Sequence, residues 1–260
     1  MKNKLHVIGI QADLIWENPK QNLHFFEEKI KTLPETTDLI VLPEMFTSGF
    51  TMNAKKVAEK MDGKTISWML SMAKKHNVAI TGSLVITENN KFYNRLIFVF
   101  PSGEITTYDK RHSFTLAGED KAYTSGTKRV VISYKGWKIC PLICYDLRFP
   151  VWARNTENYD LLLYMANWPV TRINAWKTLL KARAIENMSY VIGVNRIGTD
   201  ANDYQYSGDS LISDYLGNEL ASLPTNVNGI LAANLSIENL QKCRKKLGFL
   251  NDKDQFKLLV

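Results

Sequence analysis

Cysteine and histidine are scarce in this chain, at three and four residues among 260. Cys140, Cys144 and Cys243 are too few and too unevenly spaced for a disulfide framework, which turns attention to a lone reactive thiol. Long apolar runs are missing as well. The longest, Leu96–Phe100 and Leu161–Ala166, are strand-sized, far short of the roughly 18 to 20 residues that a bilayer-spanning helix needs. The first residues, Met1-Lys2-Asn3-Lys4-Leu5, lack the apolar stretch and small-residue cleavage site of a signal peptide, so a cytoplasmic protein with no membrane partner is expected. No G-x-G-x-x-G follows the first strand and no G-x-x-x-x-G-K-S/T occurs, which argues against a doubly wound nucleotide-binding fold. Repeats, low-complexity tracts and Ser/Gly-rich linkers are also missing, so residues 1–260 read as a single domain.

The chain is 45% hydrophobic and 23% charged, enough for a sizeable core. Its net charge of +7 is dispersed, and the densest basic clusters, Arg244-Lys245-Lys246 and Lys110-Arg111, form no basic arm. No nucleic-acid partner is expected; the charge serves solubility or draws in small anionic substrates.

Strands are expected at Leu5–Ala12, Asp38–Leu42, Val78–Thr87, Lys91–Phe100, Glu104–Asp109, Val130–Tyr134, Trp137–Ile143, Leu161–Met165, Tyr190–Asn195, Ser207–Ser213, Glu219–Leu223 and Gly229–Leu235. Apolar spacing predicts helices at Asn22–Leu33, Thr65–His76, Phe149–Asn155 and Ile237–Lys246, with Thr171–Met188 a long amphipathic one. Helices set between strand pairs predict an α/β fold of two packed sheets covered by helices.

Cys144 stands where an apolar strand stops, before Tyr145-Asp146-Leu147-Arg148-Phe149-Pro150. A side chain at such a junction projects from a sharp turn, and the backbone amides that follow favour a thiolate and an anionic intermediate. A buried core cysteine is the competing reading. Cys140 and Cys144 lie roughly 13 Å apart in an extended strand at about 3.3 Å per residue, whereas a disulfide needs Cα atoms within about 7 Å. Neither a redox pair nor a shared metal is expected.

A thiol nucleophile needs a base, and His112 is the histidine placed to pair with Cys144. Carboxylates offer another route. Glu44 follows a buried strand across Pro43 between apolar stretches, where it is either a solvated loop glutamate or a partly desolvated general base. Lys110 ends the strand Glu104–Asp109, where it is either a surface lysine or a fixed charge for an oxyanion. Glu119 reads as a solvated loop residue. Gly208-Asp209-Ser210-Leu211 spells a serine-esterase nucleophile block, but no histidine follows position 112. Asp200, Asp203 and Asp209 lack calcium-loop spacing.

Three blocks together resemble the carbon–nitrogen hydrolase (nitrilase) superfamily. Leu42-Pro43-Glu44-Met45-Phe46 is similar to its glutamate motif, Tyr108-Asp109-Lys110-Arg111-His112 to its lysine motif, and Ile143-Cys144-Tyr145-Asp146-Leu147-Arg148-Phe149-Pro150 to its cysteine motif. The resemblance runs from the first strand through Lys181–Asn187 to Gly208-Asp209-Ser210. It implies a four-layer α-β-β-α sandwich, usually dimeric, with Cys144 as nucleophile, Glu44 as general base and Lys110 as the cation on the oxyanion. It further implies that the Tyr145 N–H completes the oxyanion hole and that Glu119 positions substrate and Lys110, leaving His112 a structural or pocket-rim role. No metal or organic cofactor is required. Within the superfamily, Ala166-Asn167-Trp168-Pro169 and the cysteine block look most like the omega-amidase branch. That branch hydrolyses the terminal amide of dicarboxylic monoamides such as 2-oxoglutaramate. The distal carboxylate of such a substrate points to Arg148 and Arg172, with Trp168 and Phe114 shaping the pocket; Arg148 is equally apt as a structural ion-pair partner. A nitrile or N-carbamoyl amine hydrolase using the same residues, and a catalytically idle binding protein, are the alternative readings.

Overall fold

A computed structural model describes residues 3–259. The first sheet contains β1 (Lys4–Gln11), β2 (Leu39–Val41), β3 (Ala79–Glu88), β4 (Lys91–Val99) and β5 (Ile105–Asp109). The second is built from β6 (Ile132–Tyr134), β7 (Trp137–Ile143), β8 (Leu161–Ala166) and β9 (Tyr190–Asn195). A separate ribbon pairs β10 (Ile197–Thr199) with β11 (Gln205–Ser207). Strands β12 (Leu211–Ser213) and β13 (Glu219–Ser222) complete the second sheet, and β14 (Gly229–Ser236) returns to the first. Sheet order is β14-β1-β2-β3-β4-β5 in one and β13-β12-β9-β8-β7-β6 in the other. Each sheet has three parallel strands at its centre, β1-β2-β3 and β9-β8-β7, with antiparallel strands outside them.

The parallel triplets require crossovers, and α1 (Pro19–Lys31), α3 (Lys64–His76) and α6 (Ile173–Asn187) supply most of them. Shorter helices are α2 (Ala54–Val57), α4 (Glu119–Ala122) and α5 (Pro150–Ala153), and α7 (Ile237–Leu247) follows the last strand. Alternation assigns the layers. Leu5, Val7, Leu39, Val41, Leu96 and Phe98 enter the core shared with the second sheet. Their neighbours Ile8, Ile10, Ile40, Leu42, Ile97 and Val99 turn the other way, against Phe26 and Ile30 of α1 and Ile66 and Met69 of α3. Helix α6 covers the second sheet with Trp176, Leu180 and Ala184. The result is the expected α-β-β-α sandwich. The sheets are so close at Gly9 that an added Cβ would lie 2.7 Å from Val194 on β9.

Four expectations need correction. Ser207–Ser213 is not one strand: Gly208 (φ +80°) and Asp209 (φ +54°) break it, and its halves join different sheets. Helix α6 buries a stripe at helical spacing, but Arg183 and Asn187 belong to that stripe while Ile185 is exposed, so it is not cleanly amphipathic. Glu119 is not in a solvated loop; it opens α4 and is buried. Helix α1 also starts earlier than apolar spacing predicts, because the Asn18 side chain accepts the Gln21 N–H and Pro19 takes the first helical position.

Candidate active site

Strand ends from both sheets supply the site. Glu44 leaves β2 across Pro43, Lys110 follows β5, Cys144 follows β7 and Asn167 follows β8. All lie at the carboxyl ends of their strands, where open α/β sheets characteristically bind ligands. A cavity of about 510 Å³ opens there, with Lys110, Cys144, Tyr145 and Asn167 in its lining.

The polar centre is built around one ammonium. Lys110 Nζ donates to Glu44 Oε1 at 3.0 Å and to both Glu119 oxygens at 2.9 Å. All three side chains are buried. Burial works against the charge on Lys110, but Glu119 and Glu44 outweigh it and raise its pKa, so the ammonium stays protonated. Glu119 is raised by burial and by the like charge of Glu44, against the pull of Lys110. The Phe114 N–H donates to Glu119 Oε2 at 2.5 Å.

Glu44 is oriented from every side. Asn94 Nδ2 donates to Oε1 at 2.8 Å, the Asn167 N–H donates to Oε2 at 2.8 Å, and Asn167 Nδ2 donates to the Glu44 carbonyl at 2.7 Å. The sequence alone presents Asn167 only within a motif and assigns no role to Asn94. The signal for Asn94 was a carboxamide beside the apolar run Leu96–Phe100, which in a buried strand needs a polar partner.

Cys144 begins a 3-10 turn, Cys144–Arg148, and takes φ +43°, the left-handed region that residues with a Cβ seldom occupy. Its thiol lies within electrostatic reach of Glu44, Lys110 and Glu119. Burial pushes its thiol well up, Glu44 and Glu119 add to this, and Lys110 opposes it. Together these effects favour the neutral thiol over the thiolate that the turn's amides alone suggest.

Six further residues were expected around this centre. Tyr145, Phe114, Trp168, Arg148 and Arg172 all line the cavity, whereas Glu119 lies behind Lys110. Arg148 stacks over the Trp168 ring at 5.0 Å and Arg172 over the Phe114 ring at 5.1 Å. Trp168 Nε1 donates to the Arg172 carbonyl at 2.8 Å, tying that wall together. Among the described residues neither arginine has a carboxylate within ion-pair distance, so the structural ion pair considered for Arg148 is not formed.

His112 does not join Cys144. Its Nδ1 lies 2.8 Å from Asp146 Oδ1, and its ring stacks on Phe149 at 3.6 Å between centroids. Ser210 of the esterase-like block is buried, and its Oγ accepts the Asn195 N–H at 2.9 Å. Asp200 accepts the Asn202 and Tyr204 N–H groups and the Tyr206 hydroxyl, closing a turn at the cavity rim.

Comparison with known proteins follows the same line. The carbon–nitrogen hydrolase family model matches residues 8–245. The chain is 44% identical over 250 residues to the omega-amidase YafV of Yersinia enterocolitica, covering 96% of this chain and 97% of that protein. It is 33% identical over 248 residues to the 2-oxoglutaramate amidase of Bacillus subtilis, covering 94% and 95%. A crystal structure of a CN-hydrolase superfamily protein from Xanthomonas campestris, with an arsenic adduct in its active site, superposes with a TM-score of 0.96. It shares 39% sequence identity over 98% of this chain and 99% of that one.

Proposed function

The chain belongs to the carbon–nitrogen hydrolase family, and we propose that it is an omega-amidase working through Cys144, Glu44 and Lys110. The observation that carries this reading is their convergence: a thiol and a buried ammonium in the lining of one cavity, beside a buried carboxylate that accepts from that ammonium and acts on the thiol. Glu44 takes the thiol proton as Cys144 Sγ attacks the amide carbonyl. Charge then develops on the carbonyl oxygen, where Lys110 and the Tyr145 N–H stabilise it without rearrangement. The C–N bond breaks as Glu44 returns the proton to nitrogen, releasing ammonia and leaving a thioester. Water, deprotonated by Glu44, attacks that thioester; sulfur leaves, recovers a proton, and the acid departs. A neutral resting thiol suits this scheme, because the base then carries each proton in turn.

The substrate class follows from the two arginines. A dicarboxylic monoamide such as 2-oxoglutaramate presents a carboxylate at the end remote from its amide. Arg148 and Arg172, stacked on aromatic rings and free of carboxylate partners among the described residues, supply planar donors for it. Glu119 holds Lys110, and Trp168 and Phe114 shape the wall. The relatives named an omega-amidase and a 2-oxoglutaramate amidase support the same class. We further propose that residues 1–260 act as one domain, as a cytoplasmic homodimer. The three free thiols suit a reducing compartment, and among the described residues no helix is long and apolar enough to cross a membrane.

The decisive experiment measures ammonia release from 2-oxoglutaramate, with mass spectrometry for an acyl adduct on Cys144. Cys144→Ala should abolish both while remaining folded; full activity in that variant would remove the assignment. In the same assay Arg172→Met should raise KM for the monoamide on the order of tenfold or more, the worth of a lost charge-assisted contact. A neutral amide of similar length should be unaffected.

A further inference from the structure

We propose that Asp146 is a positioning residue that locks the Cys144 turn to the Lys110 strand end; the proposal rests on reading Cys144 as the nucleophile. Asp146 is fully buried and accepts four hydrogen bonds. Its Oδ2 takes the Ile143 N–H at 3.0 Å and the Tyr108 hydroxyl at 2.7 Å. Its Oδ1 takes the His112 N–H at 3.0 Å and faces His112 Nδ1 at 2.8 Å. Among the described residues no lysine or arginine pairs with it. A buried carboxylate with no lysine or arginine beside it is costly, and its hydrogen bonds must hold it there.

Those bonds go to the flanks of the reacting groups. Ile143 immediately precedes Cys144, so the Asp146 side chain closes the turn that holds the cysteine in its left-handed conformation. Such a conformation persists only when its surroundings over-determine it. Tyr108 lies two residues before Lys110 on β5, in the opposite sheet. One carboxylate oxygen thus links the two strand ends that present sulfur and ammonium. Tyr108 is fixed in turn, because its hydroxyl accepts from Trp152 Nε1 at 3.0 Å and from the Arg111 N–H at 3.3 Å. The other oxygen pins the segment after Lys110 through His112, whose ring lies flat on Phe149 just beyond the cysteine turn. His112, considered as a base, therefore belongs to this brace.

The arrangement predicts a loss concentrated in kcat. The wall carrying Trp168 and Arg172 is anchored elsewhere, since Asn195 accepts the Trp168 N–H and donates to its carbonyl. Asp146→Asn turns one acceptor into a donor facing donors, so the turn and strand end separate. A displacement near 1 Å at a reacting centre costs about a hundredfold in rate. We therefore expect kcat on 2-oxoglutaramate to fall on the order of a hundredfold in Asp146→Asn, with KM rising by a smaller factor because Arg148 shares the displaced turn while Arg172 does not. Tyr108→Phe removes one charge-assisted bond and should lower kcat on the order of tenfold. Asp160→Asn is the control, because Asp160 accepts the Lys138 N–H at the far end of β7 and pairs with Arg244. It should lower thermal stability and leave kcat unchanged. Folded Asp146→Asn with wild-type kcat would overturn the proposal, as would an equal kcat loss in Asp160→Asn. Should Asp146→Asn not fold, wild-type kcat in Tyr108→Phe is the overturning result. Activity surviving in Cys144→Ala would instead sink the amidase reading and identify which inference had failed.

Discussion

At the residue scale, the centre is an unequal charge balance, and that decides what each side chain is worth to stability. Glu44 and Glu119 share Lys110, and all three are buried. Removing the ammonium strands two carboxylates in a dry site, and breaking a buried pair in this way costs about 3–5 kcal/mol. Replacing Glu44 by glutamine leaves Lys110 paired with both Glu119 oxygens and strands at most one neutral donor of those that Glu44 accepts from. Lys110→Met and Glu44→Gln should therefore both lose turnover, but only Lys110→Met should show a large drop in thermal midpoint. Its deficit should shrink as the pH falls, since the raised Glu119 takes up a proton more readily once its partner is gone. Thermal melts of both variants at neutral and mildly acidic pH check this; equal midpoints would contradict the shared-ammonium picture. The sequence made part of this legible. Cys144, Glu44 and Lys110 each stood at a strand end with apt chemistry, but position alone could not rank them above a core thiol, a loop acid and a surface amine. What ranked them was three spaced blocks considered together. Asn94 and Asp146 stayed hidden because a hydrogen-bonding partner distant in sequence leaves no periodic trace.

At the scale of elements, alternation and helical spacing located nearly every long strand and helix, because each has one face to bury. The errors fall where local backbone, not burial, decides. Gly208 is the clearest case: its φ of +80° and its neighbour's positive φ send β11 and β12 to different sheets. An added Cβ there would lie 2.2 Å from Gln11 Oε1. That oxygen accepts the Ser210 N–H, and the Gly208 carbonyl accepts Asn195 Nδ2 at 2.8 Å. Gly208→Ala should therefore destabilise the fold by about 1–3 kcal/mol through strain and overcrowding. It should also raise KM, since Asn195 holds Trp168 in the cavity wall. A calorimetric midpoint alongside KM for 2-oxoglutaramate tests both halves. A variant as stable as the parent would mean that the bend is not fixed by this glycine. The ribbon β10–β11 and helices α2 and α4 were missed for a related reason: elements of three or four residues are too short to show a period.

At the scale of the whole molecule, the two sheets are joined by phenols as well as by apolar packing. The Tyr134 hydroxyl on β6 donates to the Asp38 carbonyl just before β2, and the Tyr190 hydroxyl on β9 donates to Ser236 on β14. Tyr108 on β5 reaches Asp146 beyond β7. Each therefore spans from one sheet to the other. Burial pushes the Tyr134 and Tyr190 hydroxyls up to about 12, with the Asp38 charge adding to the first. Tyr108 rises further, through burial and the charge of Asp146. Unfolded phenols lose their protons near pH 10, so above that pH the unfolded chain binds fewer protons than the folded one. The stability these groups contribute is then complete below about pH 10 and drains away as the pH climbs toward 12. Cys144 acts in the same direction from about pH 8.5, since its thiol is also raised by burial. The thermal midpoint should accordingly fall steeply above about pH 10, and at room temperature the phenolate absorbance of the buried tyrosines should appear in step with loss of circular dichroism. Buried tyrosines that titrate smoothly near pH 10 in a molecule with intact circular dichroism would contradict this. That result would mean the sheets are held by apolar contact alone, with the phenols free to ionise where they sit.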